Sequence, residues 1–98
     1  MEKTFKVSSY SKVKALSGAI AKSLAEDYDV RLDAVGAGAV NQAVKAVAAA
    51  KQMTDIPFLS DIDFFDVRIH GEQKSGIKIT IKKTPPLKAT THIEVFNM

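Results

Sequence analysis

The stretch from residue 35 to 51, VGAGAVNQAVKAVAAAK, sets two glycines ahead of a run rich in alanine and valine. Its reading decides the fold, because a phosphate-cradling loop and a helix made for close packing open in the same way. A dinucleotide fingerprint needs a third glycine where Asn41 stands, and a Walker-type loop needs Gly-Lys-Ser/Thr, which is missing. What remains is a sharp turn from strand to helix at Gly36 and Gly38, with a small bonus for anions at the exposed helix amides. The helix spans about 39 to 53 and cannot continue far toward Pro57, which lacks an amide proton. Val40, Ala43, Val44, Val47 and Ala50 recur on it as a core stripe, while Ala39, Gln42, Ala46, Ala49 and Met53 make a second, seam-like stripe. A helix that is apolar on two faces is covered on both, so the second stripe is read as contact between two copies of the chain.

Upstream, Val30, Leu32 and Ala34 alternate with Arg31 and Asp33, the period of a strand that leads straight into the glycines. A helix over about 12 to 27 precedes it, with Ser11 as its cap and Val13, Leu16, Ile20 and Leu24 as its stripe. Before that helix, TFKVSS alternates as a strand. Downstream, DIDFFDVRIH and GIKITIKK read as two strands of a hairpin around HGEQKSG, with Ile77, Ile79 and Ile81 facing in. The order βαβαββ predicts an α/β protein, a two-layer sandwich with a four-stranded mixed sheet and two helices on one face. One domain covers 1–83. Residues 84–98 open on Pro85 and Pro86, which end the sheet, and close on HIEVF, a short edge strand or a mobile tail.

Ninety-eight residues suffice for one modest core but not for a cofactor domain plus a substrate domain. The chain has no cysteine, which removes disulfides and thiolate metal sites. No apolar run approaches the thickness of a bilayer and the start MEKTFKVSSYSK has no apolar signal core, so the expectation is a cytoplasmic protein without membrane attachment. The net charge of +3 conceals blocks: residues 1 to 22 hold five lysines against one glutamate, and residues 67 to 88 hold six Lys/Arg against one glutamate. Between them, residues 54 to 66 hold four aspartates and no base. Brought together, the two basic blocks make a surface for a polyanion.

No set of residues asks for catalysis. The aspartates of DIDFFD are spread by the strand period and lack a calcium loop, and His70 and His92 have no ligand partner at metal spacing. No nucleophile, base and orienting group can be assembled. The chain is therefore expected to be a non-enzyme with no metal, no cofactor and no small-molecule substrate.

The segments SKVKALSGAIAKSLAE, LDAVGAGAVNQAVKAVAAAK and IDFFDVRIHGEQKSGIKITIKK closely resemble the bacterial stage V sporulation protein S family, over roughly residues 4 to 83. That family is similar in turn to Alba, the small archaeal chromatin protein, whose fold is also βαβαββ. The resemblance implies an Alba-like fold, a dimer formed around the second helix, and a nucleic-acid surface built from the entry to the first helix, the start of the second and the hairpin. Lys12 and Lys14 stand in the region of Alba's lysine pair; where Alba has arginines at the start of the second helix, this chain has Gly38 and Gln42. Family membership also implies a regulatory part in sporulation or cell development. The expectation is then a nucleic-acid-binding dimer that holds DNA or RNA electrostatically through Lys12, Lys14, Arg68, Lys74, Lys78 and Lys82, with the backbone around Gly38 and Asn41 at phosphates. The expected dimer interface is Ala39, Gln42, Ala46, Ala49 and Met53. The alternative is a protein-interaction or assembly module that does not bind nucleic acid.

Overall fold

The computed structural model describes residues 1–85. Six elements follow in order: β1 (Glu2–Val7), α1 (Val13–Ala25), β2 (Asp29–Ala34), α2 (Ala37–Met53), β3 (Phe58–Ile69) and β4 (Glu72–Lys83). The strands form one mixed sheet in the order β1-β2-β4-β3, with β1 parallel to β2 and the other pairings antiparallel. This is the expected βαβαββ sandwich. HIEVF lies outside the described residues.

Register explains the core. Leu32 sits between Phe5 and Ile79, and Val30 pairs with Ile81, so the alternating apolar residues of three strands share one face. Ile20 and Leu24 of α1 and Ala39, Ala43, Ala46 and Ala50 of α2 complete that core. Ser17 and Ser23 are also buried, and each hydroxyl donates back to its own helix, to the Lys14 carbonyl at 2.8 Å and the Ala19 carbonyl at 2.7 Å. These two buried hydroxyls are thus satisfied within their own helix.

Two local expectations change. The core stripe of α2 is Ala39, Ala43, Ala46 and Ala50, and Val44, expected inside, is 48% exposed. Small side chains let α2 approach its neighbours closely, so the alanines turn inward and the valines lie toward the sheet edge. The hairpin is also longer than its sequence suggests. β4 already begins at Glu72 and includes EQKSG, paired with Phe65–Ile69 of β3, and the turn is only His70 and Gly71, at φ 50° and 79°. Two central residues at positive φ are what the tight primed hairpin turn requires.

Among the described residues, beyond the Ala34–Ile77 pair β3 and β4 pair only with each other, as Phe65–Ile69 against Glu72–Gly76. This arm extends about 17 Å past the sheet at the usual rise per residue. Gly76 sits under the Phe65 ring: a Cβ there would stand 2.5 Å from Phe65 Cε1 and 3.0 Å from the Ala34 carbonyl oxygen. The Arg31 guanidinium lies 5.4 Å from the centre of that ring. The aromatic therefore fixes the root of the arm to the sheet.

Candidate functional site

Since β1 and β2 are parallel and each is followed by a helix, α1 and α2 both begin at the same end of the sheet. Neither helix has a side-chain cap or an acid in its first turn. The first helical bonds are Leu16 N to the Lys12 carbonyl, 3.0 Å, and Val40 N to the Gly36 carbonyl, 3.1 Å. The amides of Val13 to Ala15 and of Ala37 to Ala39 are left without an intrahelical acceptor, and both helix starts carry positive potential. Ser11, the expected cap of α1, acts differently: its Oγ accepts from the Ser8 amide at 2.9 Å and shapes the loop before the helix. Tyr10 N donates to Ser8 Oγ at 3.1 Å in the same loop. Gln42 Nε2 donates to the Ser11 carbonyl at 2.8 Å and ties α2 to the entry of α1.

Three segments enclose an open cleft of about 680 Å³ at this end: the loop Ser8–Tyr10, the turn around Gly36 and Gly38, and the arm from Phe65 to Ile69 except Asp66. Gly36 has φ 92° and ψ 155°, a region essentially reserved for glycine. Gly38 packs against the loop, since a Cβ there would stand 2.8 Å from Ser9 Cβ. The two glycines therefore serve the turn and the close approach. Lys6 and Asp33 also line the cleft, and Asp33 is already held by Arg31 Nε at 2.6 Å. Arg68 Nη1 donates to the Gly71 carbonyl at 3.2 Å, which orients its guanidinium on the arm.

The expected binding residues separate into groups. Lys12, at the N-cap of α1, and Lys14, in its first turn, are exposed beside the cleft loop. Arg68 and Lys74 are exposed on the arm, and Asn41 is exposed on α2 with its amide donating to Gln42 Oε1 at 3.2 Å. Lys78 lies mid-sheet on the face away from the core, in register between Asp33 and Asp63. Arg68 pairs with Gln73, so strand alternation puts it on the opposite face from Lys78. Lys82 pairs with Leu59, about 26 Å along β4 from Lys74. One groove lined by all six cations does not form. Sequence reading missed Lys6 and Tyr10, both in the cleft wall; an aromatic set among serines was the available signal.

The expected dimer residues divide as well. Ala39 and Ala46 are buried in the chain's own core, Ala49 is half-buried, and Gln42 is engaged by Ser11. Only Met53 is substantially open. The apolar surface left outside is a groove of about 240 Å³ between α2 and β3, walled by Val44, Val47, Ala48, Ile62 and Ile79. Ile62 and Phe64 remain 61% and 70% exposed beside it.

Among the described residues no three His, Cys, Asp or Glu side chains gather to hold a metal ion, and no helix is long and apolar enough to cross a membrane.

The fold has a known likeness. Alba from Thermoplasma volcanium superposes with a TM-score of 0.58 at 11% identity, over 85% of this chain and 100% of that one. The family model of Stage V sporulation protein S (SpoVS) matches residues 3–84, nearly the whole described chain, so the protein belongs to the SpoVS family and carries an Alba-like fold.

Proposed function

We propose that this chain is a nucleic-acid-binding regulatory protein that acts as a dimer in the cytoplasm and holds the phosphates of DNA or RNA at the end of the sheet where both helices start. One observation carries the reading. Lys6 and Arg68 line the cleft, Lys12 and Lys14 open the uncapped α1, Lys74 lies on the arm opposite Val67, and none of the five makes an ion pair among the described residues. Such a surface exchanges condensed counterions for protein cations on binding. Lys78 contributes from the sheet face and Lys82 stands too far away to share a phosphate track. The family and the likeness to Alba support this choice over a purely structural role.

The dimer forms through the α2–β3 groove, because Val44, Ile62 and Phe64 are the large apolar side chains left uncovered there. This places it one face round the helix from the alanine stripe. Light scattering on the purified protein is expected to give twice the chain mass.

An electrophoretic mobility series with DNA and RNA at two salt concentrations tests the binding. The affinity is expected to fall steeply with salt, with a logarithmic slope of about −0.9 per phosphate neutralised on duplex. Absence of binding at low salt, with the dimer intact, favours an assembly module whose partner is another protein.

A further inference from the structure

We infer that the cleft beneath Tyr10 takes an unpaired nucleobase, so that the protein binds single-stranded nucleic acid in preference to duplex; this rests on the nucleic-acid reading above. Contact with duplex phosphates needs only a basic surface. This chain builds a cavity of about 680 Å³ as well, within the range of ordinary ligand pockets. On the arm side Phe65, Val67 and Ile69 offer apolar surface to a flat ring, with Arg68 the one charged side chain among them. At the loop side stands Tyr10, whose side chain is almost wholly in water at 92% exposure. The loop that carries it is nonetheless ordered by the Ser8–Ser11 and Gln42–Ser11 hydrogen bonds. An uncovered aromatic on an ordered loop is a stacking platform.

Charge completes the match. Lys6 and Arg68 line the same cleft and, among the described residues, make no ion pair, while the carboxylate of Asp33 is neutralised by Arg31. A base that enters between Tyr10 and the arm leaves its flanking phosphates at these cations. In a duplex both faces of each base are covered by its neighbours, so only a single strand or an extruded nucleotide presents a free face.

Fluorescence anisotropy with three labelled oligonucleotides of equal length decides the matter: a mixed-sequence single strand, its duplex, and a single strand made of abasic residues. The single strand is expected to bind about tenfold tighter than the abasic strand, and tighter than the duplex despite the duplex's higher charge density. Tyr10→Ala should lower single-strand affinity about tenfold and leave the duplex affinity and salt slope unchanged, whereas Tyr10→Phe should keep the parent affinity. Equal binding of all three ligands, or equal loss on all three with Tyr10→Ala, overturns the inference alone. No binding of any of them at low salt overturns it together with the nucleic-acid reading.

Discussion

At one end of the sheet the helices begin and Lys6, Lys12, Lys14, Arg68 and Lys74 make no ion pair among the described residues; at the other the helices finish and Lys3 and Lys83 are paired. There Lys83 donates to Asp27, and Lys3 lies 3.9 Å from Glu26 and 4.3 Å above the Tyr28 ring. Both ends carry lysines in similar number, so total charge does not distinguish them. Pairing does. A lysine whose charge is already met gains little from a phosphate, whereas one beside an uncapped helix start gains from both its own charge and the backbone's. The polyanion surface proposed above therefore follows the cations left without an ion pair rather than the number of lysines.

The sharpest way to break this contrast is charge reversal at each end. Lys12→Glu combined with Lys14→Glu should abolish measurable nucleic-acid binding with an unchanged circular dichroism spectrum, since both side chains are exposed. Lys82→Glu, at the far end, should stay within about twofold of the parent, being well beyond a Debye length of the cleft. Comparable losses in the two variants would erase the distinction between the ends.

The two faces of α2 offer the next largest effect. Ala46 is fully buried, so Ala46→Glu places an unpaired charge in the core at a cost on the order of 3–5 kcal/mol, enough to unfold a small domain. Val44→Glu instead charges the groove; a folded monomer by light scattering and circular dichroism is the expected result. A Val44→Glu protein that remains dimeric would remove α2 from the interface.

Gly38→Val tests whether the cleft end depends on its packing. The added Cβ meets Ser9, so a loss of about 1–3 kcal/mol, read as a lower thermal midpoint, is expected before any change in salt slope. The smallest effect belongs to the far end. The Lys83 ammonium, by hydrogen bond and then by charge, holds the exposed Asp27 carboxyl below its usual 3.8. A depressed folded value stabilises the fold above the unfolded value, and this contribution is lost as pH falls through the folded one. Melting curves of the parent and Asp27→Asn should therefore differ slightly at neutral pH and converge in acid below that range.

The sheet and the strand-to-helix turn were readable because isoleucines alternate in β4 and because glycines interrupt an otherwise helical run. The inward face of α2 was not. Alanine and valine have the same period there, and apolar character alone cannot phase two overlapping stripes; side-chain size, through close packing, decides it. The arm escaped notice because EQKSG covers no core and so shows no apolar alternation. Its pairing is instead written in one residue couple, Phe65 against Gly76, which only register reveals. The same limit affected Arg68 and Lys82: strand period gives the face of a side chain, but neither its distance along a strand nor the strand's overhang. Lys6 and Tyr10 belong to the cleft through tertiary approach of three segments, a relation that no local pattern contains.

The arm also has a mechanical meaning. A ribbon two strands wide, with no third strand beside it among the described residues, bends far more easily than the sheet it leaves, and its stiffness is concentrated at the root where Phe65 rests on Gly76 and Arg31. It is a cantilever with an aromatic bearing. Flexing at that bearing would change the separation of Ile69 and Tyr10, the two sides of the cleft, and leave the core undisturbed, so the width of the cleft is a property of the arm's root.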